Sequence, residues 1–226
     1  MPLIDFILHI DQHLKEIIAN YGTQTYLILF AIVFAETGLV VTPFLPGDSL
    51  LFAAGIFAHP GQGPLSLPML YLTFVGAALL GDNVNYQIGK RLGRRLFERE
   101  NSKFFKRDHL AKTEHYFHRY GGLTIIIARF VPIVRTFAPF VAGMGAMSYL
   151  RFLLFCVIGA VLWVGVCVTA GYFFGAIPFV RENFSVAVLA VIGISVVPAV
   201  IEAVRHRAKA KKRMRAPEGE RHSAAP

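Results

Sequence analysis

Two arginines six positions apart, Arg129 and Arg135, stand in LTIIIARFVPIVRTFAPFVAGMG at residues 123–145, a run that is otherwise apolar and long enough to cross a membrane. A guanidinium keeps its charge in proteins and offers five donors that fit a carboxylate or a phosphate bidentately. One arginine at the centre of a bilayer costs about 2.5 to 3.5 kcal/mol on insertion scales, so two must be hydrated, paired or functional. Three carboxylates lie in comparably apolar surroundings: Glu36 in AETG, Asp48 in PGDS and Asp82 in GDNVN. Acids at that depth can pair with the arginines or carry protons, and the chemistry on offer is anion binding with proton coupling or gating. For Asp82 a plain helix–helix hydrogen bond is an equal reading.

The backbone around these groups is broken. Pro132 and Pro139 each remove an amide donor, and Gly143 and Gly145 follow, so 123–145 reads as a re-entrant helical hairpin and not as a continuous span. Pro43, Pro46 and Gly47 mark a second hairpin at 26–58, with Asp48 and Ser49 as a helix N-cap. The plainer alternative for 26–58 is two short helices carrying Glu36 and Asp48 at the surface, although 49–81 then contains no Asp, Glu, Lys or Arg. If one hairpin enters from each side, Glu36 and Asp48 face Arg129 and Arg135.

The remaining elements follow from apolar length and charge. With 226 residues, 55% of them hydrophobic, the chain reads as one integral membrane unit. Residues 1–20 place Leu3, Ile7, Ile10, Leu14, Ile17 and Ile18 at helical spacing, an amphipathic N-terminal helix without the basic leader of a secretory signal. A single membrane domain covers 21–204. Beyond the hairpins it contains a helix at 65–93, a basic amphipathic loop at 94–120, and helices at 148–175 and 184–204. Ten of the 23 Lys and Arg lie between Lys90 and Arg119 and eight between Arg205 and Arg221, which puts the loop and the disordered 205–226 tail on the cytoplasmic side. These basic runs abut apolar segments and carry no nucleic-acid motif, so anionic lipid headgroups are the expected partners.

The halves echo each other. LFAAG closes the first hairpin at Gly55 and PFVAG the second at Gly143, while YQIG at 86–89 parallels YFFG at 172–175. An inverted repeat with its tips near the midplane is the expected arrangement.

These residues resemble the DedA family, bacterial relatives of the SNARE-associated Golgi or VTT-domain membrane proteins. The resemblance rests on AETG at 35–38, FLPGDSLLFAAG at 44–55, GDNVNYQIGKRLG at 81–93, ARFVPIVRTFAPFVAGMGAM at 128–147 and the segment from Phe152 to Gly175. It covers most of 25–204. It implies a multi-pass protein of the bacterial inner membrane that carries lipids, undecaprenyl phosphate or phospholipids, with links to proton-motive force and envelope maintenance. It also implies that the acidic pair Glu36 and Asp48 and the arginine pair Arg129 and Arg135 are functional.

The leading expectation is therefore a lipid-phosphate transporter of flippase or scramblase type, its phosphate held by Arg129 and Arg135 and its tail left in the bilayer. A proton-coupled transporter of a small ion or solute is the alternative, and ion pairs that merely fasten the hairpins are the structural one. A scaffold would leave the intramembrane charges unexplained. An enzyme is not expected: all eight histidines fall in loops, surface helices or the tail, no G-x-S-x-G or H-E-x-x-H occurs, and neither cysteine has a charged sequence neighbour. No cofactor or metal is expected either, since His109, Glu114, His115 and His118 match no closed zinc site. Cys156 and Cys167, about 16 Å apart along one helix, are expected to be packing residues. An oligomer is compatible with the sequence.

Overall fold

A computed structural model describes residues 10–38, 47–61, 63–97, 117–177, 180 and 193, and all regular structure among them is helical. In chain order the helices are α1 Ile10–Tyr21, α2 Thr25–Gly38, α3 Gly47–Phe57, α4 Leu67–Phe97, α5 Leu123–Ala128, α6 Pro132–Val141 and α7 Tyr149–Phe174. The expected helix at 184–204 apart from residue 193, the tail and most of the basic loop lie outside the described residues, as do Pro43 and Pro46. Among the described residues three stretches are long and apolar enough to cross a membrane: His13–Gly38, Leu67–Arg91 and Tyr149–Phe174.

Helices α4 and α7 pack against each other and carry the rest: α2 and α6 lie along α4, and α3 and α5 along α7. The reason is visible in their stripes. On α7, Phe152, Cys156, Gly159, Ala160, Trp163, Val164, Val168 and Gly171 are buried, whereas Leu150, Leu154, Val161, Leu162, Val166 and Phe173 are exposed. That is a 3.6-residue period in which the outward side is as apolar as the inward one, the pattern of a helix facing lipid. On α4, Leu70, Phe74, Ala77 and Ala78 begin a buried stripe that continues through Asp82, Asn85 and Tyr86. The register that buries the aliphatic half therefore carries the carboxylate inward.

Lipid tails are as apolar as leucine, so helices in a bilayer associate through close packing and hydrogen bonds, and small residues at contacts matter. Glycines supply two matched crossings. A Cβ on Gly55 of α3 would strike the Val168 carbonyl of α7, and one on Gly171 of α7 would strike the Phe52 carbonyl of α3. At the other crossing a Cβ on Gly143, just past α6, would strike the Tyr86 carbonyl of α4, and one on Gly89 would strike the Phe140 carbonyl of α6. Phe52 and Gly55 stand to their long helix as Phe140 and Gly143 stand to theirs, the same positions that the LFAAG and PFVAG echo aligns.

The breaks fall partly where expected. Pro132 opens α6 after an extended Val131 (φ −122°, ψ 104°), as suits proline in a first helical turn. Pro139, expected as a break, lies inside α6 instead. It lacks the N–H that would bond the Arg135 carbonyl four residues back, and the chain continues into a π turn at Ala142–Ala146 that contains Gly143 and is kinked at Gly145 with φ +123°. Asp48 is the second residue of α3 and not its N-cap, because Gly47 begins the helix and the carboxylate has stronger donors elsewhere. At the N-terminal side α1 runs into α2 through a short turn at Gly22–Gln24, with Leu14 buried and Thr25 Oγ1 donating to the Ile17 carbonyl at 3.4 Å.

Candidate functional site

Each arginine is placed by the break that precedes or follows it. Arg135 sits in the first turns of α6, its amide bonded to the Val131 carbonyl at 2.9 Å, so the proline that starts the helix fixes the level at which the guanidinium leaves it. One of its terminal nitrogens, Nη2, donates to Glu36 Oε1 at the end of α2, and the other, Nη1, to Asp48 Oδ1 in the first turn of α3 at 3.0 Å. One fork thus joins both arms of the acidic segment, and the N-terminal turns of the two short helices meet at an ion pair. The acids are locally prepared for it. Asp48 occupies a helix N-terminus, where negative charge is favoured, and the Glu36 carboxylate lies against Gly47 at the start of the same helix. A Cβ on Gly47 would collide with that carboxylate.

Arg129 follows α5 as its C-cap and turns to a different acid. Its Nη2 donates to Asp82 Oδ2 of α4 and, at 3.4 Å, to Cys156 Sγ of α7. Cys156 in turn donates to the same Asp82 oxygen at 3.0 Å. The side chain crosses α7 at Gly159, where a Cβ would stand 3.1 Å from its Cδ and Nε. The expectation that Glu36 and Asp48 face both arginines is therefore corrected: they share Arg135, and Arg129 belongs to Asp82. The reason is topological, since α5 packs on α7 and α7 on the Asp82 face of α4.

Trp163 of α7 lies against both guanidiniums. Its ring centre is 5.2 Å from Arg135 Cζ and 5.9 Å from Arg129 Cζ, and its indole N–H donates to Asp48 Oδ1 at 2.9 Å. Cation–π contact of this kind is worth about 2 kcal/mol or more when desolvated. The two neighbouring asparagines serve the frame: Asn85 Nδ2 donates to the Thr136 carbonyl of α6 at 2.8 Å and Asn83 Nδ2 to the Tyr149 hydroxyl at 3.2 Å.

Four of the five charged groups are withdrawn from the surface. Glu36, Asp82, Arg129 and Arg135 are buried, and the Asp48 side chain alone keeps 23% exposure. Ionised together they carry two positive and three negative charges. Within this shell Arg129 Nε and Nη1 and Arg135 Nε have no hydrogen-bond partner. A buried donor left unmade costs about 1 to 3 kcal/mol, so an anion entering here finds binding capacity already desolvated. No group of three or more His, Cys, Asp or Glu suited to a metal ion occurs among the described residues.

Sequence reading found the five charges and missed three of the residues that hold them. Cys156 was expected only to pack, yet it stands between Arg129 and Asp82; Cys167, half-buried on the same helix, makes no such contact among the described residues. Gly159 and Trp163 also went unassigned. Their common signal is spacing: Cys156, Gly159 and Trp163 at i, i+3 and i+7 form one face of a helix that is charge-free from Phe152 onward, which hides it.

The VTT domain family matches residues 45–173, a span that holds both arginines, Asp48, Asp82, Cys156 and Trp163. The chain is 55% identical to Protein DedA of Escherichia coli (strain K12), over 93% of this chain and 96% of that protein. It is 42% identical to an uncharacterized membrane protein of Mycobacterium tuberculosis (strain H37Rv), over 82% of this chain and 81% of the relative. Inner membrane protein YqjA of Escherichia coli (strain K12) is 35% identical over 68% and 69% of the two chains. No solved structure is a significant match.

Proposed function

The chain belongs to the DedA family of VTT-domain membrane proteins, and on that footing we propose that it moves a phosphate-bearing lipid across the bacterial inner membrane, without catalysing a reaction. The observation that carries this reading is the set of three unpartnered guanidinium donors on buried Arg129 and Arg135. A lipid phosphate is the anion that suits them, because its headgroup needs donors at membrane depth while its tail stays among lipids. The carboxylates reset the site: Glu36 and Asp48 reclaim Arg135, and Asp82 reclaims Arg129, when the phosphate leaves. Undecaprenyl phosphate or a phospholipid fits this chemistry, and the basic loop and tail rest on anionic headgroups with the C-terminus in the cytoplasm.

The matched glycine crossings and the meeting of Asp48 with Arg135 support a fold of two re-entrant hairpins in an inverted repeat, α2–α3 against α5–α6. Such a repeat lets the same binding groups be approached from either side.

The test is movement of a labelled polyprenyl phosphate in liposomes containing the purified protein, wild type against the Arg129→Ala, Arg135→Ala double variant, with and without a pH gradient. Transport by wild type alone supports the reading. Equal transport by both sinks it. A second reading, a proton-coupled carrier of a small ion or solute, is favoured by one feature, the surplus of three carboxylates over two arginines with Asp48 partly exposed. Flux of protons without lipid movement would select it.

A further inference from the structure

The two ion-pair centres are built on one plan. Asp48 Oδ1 accepts from Arg135 and, on the same oxygen, from the Trp163 indole N–H. Asp82 Oδ2 accepts from Arg129 and, on the same oxygen, from the Cys156 thiol. In each case the second donor is neutral, and both stand seven positions apart on the inward face of α7, two turns of one helix. A neutral donor adds nothing to the charge balance. It does hold a carboxylate in position when the guanidinium is elsewhere, and a buried carboxylate without any donor is strongly penalised.

We infer that Trp163 and Cys156 are positioning residues that keep Asp48 and Asp82 in place while Arg135 and Arg129 are engaged by the anion, so that the arginines are the moving partners and the acids fixed docks. The inference rests on the lipid-phosphate reading. The ring of Trp163 adds a second property, because it lies against both guanidiniums and gives them an apolar, electron-rich surface in either position. An arginine that turns from carboxylate to phosphate stays on that surface. Without the α7 donors, each departure leaves an unanchored acid, and recovery of the empty site slows. Steps in which the site never empties are affected less.

That difference is measurable. In proteoliposomes, net inward movement of an NBD-labelled polyprenyl phosphate requires the empty site to reset, whereas exchange of labelled for unlabelled probe across the bilayer does not. Trp163→Phe, which keeps a ring and removes the N–H, and Cys156→Ala are expected to lower the maximal net rate at least about tenfold more than the exchange rate, the scale of a lost hydrogen bond to a charged group. The concentration for half-maximal rate changes little, and Cys156→Ser restores most of the net rate.

A second arm needs no lipid phosphate. The chain has one tryptophan, so its emission reports Trp163 directly: Asp48→Ala is expected to shift the emission maximum, and Asp48→Asn, which keeps an acceptor, to leave it near wild type. An unchanged emission in Asp48→Ala overturns the indole–carboxylate dock. A shifted emission with net and exchange rates falling together overturns the resetting role and leaves lipid transport standing. Absence of both net movement and exchange in wild type overturns the lipid-phosphate reading, and this inference with it.

Discussion

Arg129 lies flat across Gly159: a Cβ at that glycine would stand 3.1 Å from the arginine's Cδ and Nε. The distance is tight but not prohibitive for one methyl group. Gly159→Ala is therefore expected to be tolerated with a modest loss of transport, while Gly159→Leu lifts the guanidinium off Asp82. Separating a buried pair costs about 3 to 5 kcal/mol. Thermal unfolding in detergent should show that cost for leucine and little of it for alanine.

Arg135 bridges two acids with two different nitrogens, a task a lysine ammonium cannot share in the same geometry. Arg135→Lys should preserve folding and reduce transport at least about tenfold, the scale of one lost charged hydrogen bond. Arg135→Ala should unfold at a lower temperature than Arg135→Ala combined with Glu36→Gln, since the double variant no longer buries that unpaired charge. Neither should transport. Equal melting of the two would contradict the assigned pair.

Gly47 is kept small by Glu36 and not by a turn. A Cβ there would overlap the Glu36 carboxylate, so Gly47→Ala is expected to cost about 1 to 3 kcal/mol, in the range of overpacking. Combining it with Glu36→Ala opens the space and should recover the stability. A melting series of the two single variants and the double variant reads this directly.

Two arginines against three carboxylates leave one acid without a full countercharge. If that acid carries the coupled proton, the wild type should accelerate under an imposed pH gradient and Asp48→Asn should not, whatever its rate without one. Asp48 is the group to test because it alone of the five retains exposure. A gradient response that survives in Asp48→Asn, Glu36→Gln and Asp82→Asn alike would show that protons do not pass through these groups.

The two glycine crossings give a paired prediction. Gly55→Leu and Gly143→Leu each force a long helix away from a short one, and the two should destabilise the protein to a similar degree, each by more than Gly165→Leu, where a Cβ meets nothing within 4 Å. Melting temperatures of the three variants test it.

The charges were legible because a charge in an apolar run has few explanations. The helices were legible for the same reason, and α4 and α7 fall within a few residues of where apolar length puts them. What sequence withheld was partner choice. Arg129 and Arg135 look alike in one dimension, and only the packing of α5 on α7 sends the first to Asp82. Pro139 was misread because its cost is local: α6 absorbs the missing donor and relaxes through the π turn beyond it. Trp163 and Cys156 carry no signal of their own, being apolar by the measure that detects spans, and become informative only once their donors are seen to meet carboxylates.

The glycine crossings have a mechanical side. Where two helices meet backbone to backbone at a glycine pair, their axes come close and no side chain stands between them at that point. The α6 seam on α4 carries Arg135, whereas the α3 seam on α7 holds Asp48 against Trp163. A small shear along the α6–α4 seam would part Arg135 from Asp48 and leave Asp48 docked on Trp163, so the joint that brings the charges together is also the line along which they separate.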